Sequence, residues 1–136
     1  MKSSYLMLML GITTGCSWLA HSPAEAPENY TMRVTQQCFC HPQFSGPFDI
    51  EIRQGAPYRA VRSSDGKAIP LSWVGNEVPD LAVIMRRIQQ AEAQAAYQLE
   101  INWSDEAGIP SSVYIDRSEM IADDEVTYRI ENFQRL

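Results

Sequence analysis

The chain has little of several things that whole classes of function require. It has no basic run, and its 11 Lys and Arg stand against 17 Asp and Glu for a formal charge of −6. Phosphate backbones must be neutralised by clustered cations, so nucleic acid is not expected as a partner. No apolar run approaches the about 20 residues that span a bilayer. No glycine pattern suited to phosphate appears, and there is no parallel strand–helix rhythm. Histidine occurs twice and cysteine three times in 136 residues. That leaves no second Cys or His pair for a four-ligand zinc site. Length and aromatic content suit one ordinary globular domain.

What is present begins with an address. Lys2 opens a short positive start, Tyr5 to Ile12 is a compact apolar run, and Thr13, Thr14 and Gly15 are small. This is the three-part build of a secretory signal. Gly15 followed by Cys16 resembles the lipobox of bacterial lipoproteins, although Thr13 stands where leucine is usual. The expected division is a signal peptide at residues 1–15, lipidation of Cys16, a flexible tether at 16–29 and one domain at 30–136. Two or more acyl chains anchor stably where one does not. The membrane is therefore an expected partner through the N-terminal lipid. By the same resemblance, Ser17 favours the outer membrane, facing the periplasm. His21 falls in the tether and is expected to be solvated.

From Tyr30 the pattern alternates. Tyr30, Met32 and Val34 share one strand face, and the strand is expected to run through Cys38-Phe39-Cys40 to His41-Pro42. Phe48, Ile50 and Ile52 alternate with Asp49, Glu51 and Arg53, and Gln54-Gly55 marks a turn into a third strand ending at Arg62. Ser64-Asp65-Gly66-Lys67 is another turn. The period then switches. Leu81, Ile84, Met85, Ile88, Ala91 and Ala95 fall at steps of three and four behind Pro79 and Asp80, predicting an amphipathic helix to about Ala96. Strands follow at Leu99 to Trp103, around Val113 and Ile115, and at Val126 to Glu131, with Gly108 available for a positive φ between the first two. The expected class is α+β: an antiparallel sheet of about six strands, βββ-α-βββ, with one long amphipathic helix packed on one face.

Several of these residues stand together in a known pattern. Tyr30 with Cys-Phe-Cys soon after, Ile50-x-Ile52 before Gly55, a helix, Gly108-Ile109-Pro110, and Ile115-Asp116 followed by Asp123-Asp124-Glu125 and Tyr128 make it up. In these the chain resembles the bacterial family known as domain of unknown function 6174. Its members are small exported proteins, often lipoproteins. The resemblance covers most of residues 30–136. Trp103-Ser104 stands where the family often has Tyr-Asp, which weakens a carboxylate site at that turn. The resemblance implies a fold and an exported location and brings no activity with it.

With Cys16 capped by lipid, Cys38 and Cys40 are the remaining thiols, in a compartment that oxidises thiols. On a flat strand their Cα atoms stand about 6.6 Å apart. A disulfide wants Cβ atoms about 3.8 Å apart, so bonding requires a bend or bulge. A three-residue loop supplies only about 1.6 kcal/mol of closure entropy, making such a bond a weak staple. Three readings stand: a disulfide, two packed or free thiols, or a soft metal ion held with His41 where the chain bends at Pro42.

No nucleophile–base pair stands out, so no catalytic residue and no cofactor is expected. Asp123, Asp124 and Glu125 read as a solvated strand entrance that blunts an edge, and Asp116 as a turn hydrogen-bond acceptor. The expectation is a membrane-tethered, non-catalytic envelope module that binds another envelope protein or a small ligand. The alternative is a metal- or redox-responsive module using Cys38 and Cys40.

Overall fold

A computed structural model describes residues 25–136. The expected signal peptide, Cys16, His21 and the first part of the tether lie outside the described residues. Six strands form one sheet: β1 (Tyr30–Cys38), β2 (Phe48–Arg53), β3 (Ala56–Arg62), β4 (Gln98–Trp103), β5 (Pro110–Asp116) and β6 (Val126–Arg135). The order across the sheet is β3-β2-β1-β6-β5-β4, and every neighbouring pair is antiparallel. Two three-stranded meanders thus lie side by side, with the first and last strands paired at the centre. A helix, α1 (Leu81–Ala93), and short 3-10 turns at Pro42–Phe44 and Leu71–Trp73 complete the described elements.

The expected α+β class with a long helix is corrected by these proportions. Six strands of six to ten residues stand against one helix of 13, so the fold is mostly β. The helix starts where expected, with the Asp80 side chain accepting from the Val83 N–H. It stops early because Ala95 turns left-handed at φ 50 and the Ala96 N–H reaches back to the Ala91 carbonyl at 2.9 Å. That back-bond is the Schellman form of helix ending, here built on alanine where glycine is usual.

The core follows from alternation. Tyr30, Met32 and Val34 of β1, Phe48, Ile50 and Ile52 of β2, Val113 and Ile115 of β5, and Tyr128 and Ile130 of β6 are buried on one face. Leu81, Ile84, Met85 and Ile88 of α1 join the same cluster. Tyr30 ties sheet to helix: its buried hydroxyl accepts from the Leu81 N–H at 2.9 Å. Burial, with the charge of Asp80 adding to it, pushes the Tyr30 phenol well above its usual range, against the pull of that N–H. The β2–β3 hairpin closes through Gln54 and Gly55 at φ 51 and 74, the double positive-φ turn that matches strand twist. The Gln54 N–H donates to Asn29 Oδ1 and the Gly55 N–H to the Glu28 carbonyl, so the body is pinned from just before Tyr30.

Candidate functional site

One end of the central pair β1–β6 opens into a cleft of about 470 Å³. Cys38, the last residue of β1, lies in register with Val126, the first of β6. The two strand ends therefore set the distance across the base of the cleft. Gln36, Val126 and Tyr128 rise from the sheet, Phe39, Cys40, His41 and Phe44 from the segment after β1, Asn76 and Glu77 from the loop before the helix, and Arg87 from α1. Arg117, Asp123, Asp124 and Glu125 close it from the β5–β6 loop.

Gln36 holds three of these segments together. It sits on the core-facing side of β1 at 4% exposure. Its Nε2 donates to the Phe44 carbonyl at 2.7 Å and to the Glu77 carbonyl, while its backbone N–H donates to the Ser45 carbonyl at 2.9 Å. A buried amide is stable only with such partners. Below it, Phe44 meets Trp73 edge to face at 4.9 Å. Sequence reasoning missed Gln36. The signal was there: a polar residue at the next core-facing position after Tyr30, Met32 and Val34.

Cys38 and Cys40 have their Sγ atoms at bonding distance and their Cα atoms 5.2 Å apart. The expected strand through Cys-Phe-Cys ends earlier, at Cys38, and the chain bends at Phe39 and Cys40. That bend shortens the separation from the flat-strand value. Cys38 is half-buried and Cys40 exposed. Phe39 between them is 82% exposed. The ridge they form separates the cleft from a second hollow of about 280 Å³ on the far side, shared with Tyr114, Ala122 and Thr127. His41 is placed differently from a ligand or a base. Its Nδ1 accepts from the Gln43 N–H at 3.3 Å and caps the 3-10 turn, with its ring edge-on to Phe44 at 6.2 Å. Among the described residues no group of three or more His, Cys, Asp and Glu side chains is gathered as a metal site would require.

The charged wall is mixed. Four carboxyl groups, Glu77, Asp123, Asp124 and Glu125, face two guanidiniums, Arg87 and Arg117. Arg87 Nη1 donates to the Tyr128 hydroxyl, and its guanidinium lies 5.5 Å from that ring's centre. The acids do not blunt an edge, as their place in the sequence suggested, because β6 is paired on both sides. They stand at the mouth of the cleft. Asp116 accepts from the Ser118 N–H at 3.2 Å and starts the β5–β6 loop, the turn role expected for it. Asp124 Oδ1 is buried with no partner. Desolvation, with the neighbouring Asp116 carboxyl adding to it, pushes Asp124 above the usual carboxylate range.

The family of unknown function DUF6174 matches residues 20–135, nearly the whole of the described body. The chain belongs to this family. No curated protein and no solved structure matches it. In this DUF6174 member the motif residues Cys38, Cys40, Asp123, Asp124, Glu125 and Tyr128, scattered over 90 positions of sequence, all line one cleft.

Proposed function

We propose that the chain is a membrane-tethered, non-catalytic module of the cell envelope, anchored by lipid on Cys16 at the outer membrane, that binds another envelope protein through the cleft at the β1–β6 end. One observation carries this reading: the cleft joins a two-signed charged wall to an exposed aromatic. Phe39, at 82% exposure, offers a large apolar contact at the rim of that cleft. Met120 and Ile121, at 90% and 55% exposure, lie in the β5–β6 loop that also carries the acidic wall. A partner segment presenting a cation to Asp123 and Glu125 and an apolar side chain to Phe39 fits this chemistry.

The placement of the cleft supports the same reading. Tyr30 and Cys38 are the two ends of β1, roughly 27 Å apart at the ordinary strand rise. A lipid at residue 16 would enter from the Tyr30 end. Up to roughly 40 Å of chain would then lie between lipid and body, enough to carry the cleft clear of the anchoring bilayer. The test is capture from detergent-solubilised envelope by the full-length chain. A protein captured by the natural sequence and lost with Phe39→Ala or Glu125→Lys supports the reading. Capture indifferent to both substitutions contradicts it. Mass consistent with an acylated Cys16 tests the anchor separately.

The bonded Cys38–Cys40 pair favours a second reading, a redox-responsive module. Bonded sulfurs offer no thiolates to a metal, so redox response fits the pair better than metal response. That reading requires partner capture to differ between the oxidised and reduced chain.

A further inference from the structure

The two cysteines are not equivalent. Cys38 belongs to the sheet, in register with Val126 of β6, and is half-buried. Cys40 stands past the end of the strand, exposed, between Phe39 and the 3-10 turn at Pro42–Phe44. Thiol–disulfide exchange is an in-line displacement: the attacking sulfur must reach one sulfur from the side opposite the other. Access therefore decides which sulfur is attacked. Phe39, between the two sulfurs, offers an incoming chain an apolar contact, and Arg87 and Arg117 line the cleft that both cysteines share, where positive charge favours a thiolate. Asp123 and Glu125 on the facing wall act in the opposite sense.

Resting on the redox-responsive reading, we propose that the Cys38–Cys40 bond is a thiol–disulfide exchange site for a partner dithiol, with Cys40 the sulfur attacked and Cys38 the sulfur released. One partner thiolate attacks Cys40 Sγ. A bond forms between partner and Cys40, the Cys38–Cys40 bond breaks, and its electron pair leaves on Cys38 Sγ, which takes up a proton. The partner's second thiolate then attacks the partner's own sulfur in the mixed disulfide and releases the Cys40 thiolate, which is protonated in turn. The partner dithiol is oxidised by two electrons to a disulfide, and the Cys38–Cys40 bond is reduced to two thiols. The fold does not depend on the bond. The ring it closes holds three residues, so it restrains little of the unfolded chain. Gln36, two residues before Cys38, already ties β1 to the Phe44 and Glu77 carbonyls without it.

The experiment uses the full chain with Cys16→Ser, so that thiol counts report on Cys38 and Cys40 alone. Reduced glutathione is the probe, added under native conditions and in denaturant, with acid quench, maleimide mass tagging and peptide mapping. Native reduction within about tenfold of the denatured rate is expected. Glutathione in the trapped intermediate is expected on Cys40, and the reduced chain is expected to keep a cooperative thermal transition by circular dichroism. A native rate slower than that range overturns the proposal. So does glutathione mapped to Cys38, or a reduced chain without a cooperative transition. The redox-responsive reading fails on a different result, capture that ignores oxidation state, so the two failures are distinguishable.

Discussion

At the scale of single residues, two buried polar groups, Tyr30 and Gln36, and the part-buried Asp124 at the cleft mouth bear on how the body and the cleft hold together. Tyr30 is 1% exposed and its hydroxyl is the acceptor for the Leu81 N–H at the start of α1. Tyr30→Phe keeps the ring and strands that N–H. The loss in stability should be about 1–3 kcal/mol, read from chemical denaturation, and a change near zero would show that the bond contributes nothing. Asp124 makes the opposite kind of prediction. Its carboxyl is held above its ordinary range by desolvation and by Asp116, so the fold favours its neutral form. Stability from this group is present in acid and lost as pH rises through the raised value. Asp124→Asn should therefore lose less stability than the natural chain between about pH 4 and about pH 7 in urea midpoints. Equal losses would contradict that assignment. Gln36 shows what alternation alone conceals. Its position was legible as core-facing, but periodicity does not say which carbonyls a buried amide will find 8 and 41 residues away.

At the scale of elements, the strands were legible where two-residue alternation was strong. Tyr30 to Val34, Phe48 to Arg53 and Val126 to Glu131 are strands in the structure, and Gln54-Gly55 and Gly108 make the positive-φ turns their residue types allow. The helix was legible at its start, from Pro79 and Asp80, and misread at its end. Ala91, Ala93, Ala95 and Ala96 are strong helix formers and hid a stop that glycine would have announced. The class was misjudged as α+β because one helix of 13 residues is outweighed by six strands. Ala95 pays for the turn with a left-handed backbone at φ 50. Ala95→Gly should raise stability by about 0.5–1 kcal/mol in denaturant titration, and a destabilised variant would contradict the Schellman assignment. The Cys-Phe-Cys segment was misread in the same direction. A strand carried through to His41 keeps the sulfurs apart, whereas the bend after Cys38 brings them to bonding distance.

At the scale of the whole molecule, the decisive fact is long-range: the first and last strands pair at the centre of the sheet. Short-range pattern gives two meanders but not which strands join them, because the β1–β6 contact spans nearly the whole domain in sequence. That pairing brings Cys38 beside Val126 and turns Asp123, Asp124 and Glu125 from an expected edge guard into a cleft wall. The site was thus visible in the sequence as separate motifs and not as one place. The opposite, open face of the sheet offers a natural control. Arg59 lies there in a smaller hollow with Thr31, Asp49 and Glu51, beside the Arg33–Asp49 ion pair. The central claim is that a partner sits on the Cys38–Cys40 end and not on that face. Its most direct test is photo-crosslinking in intact cells, with a photoreactive phenylalanine analogue placed at position 39 or at position 59. A discrete adduct from position 39 and none from position 59 is the predicted result. An adduct from position 59 alone, or none from position 39, would contradict the account.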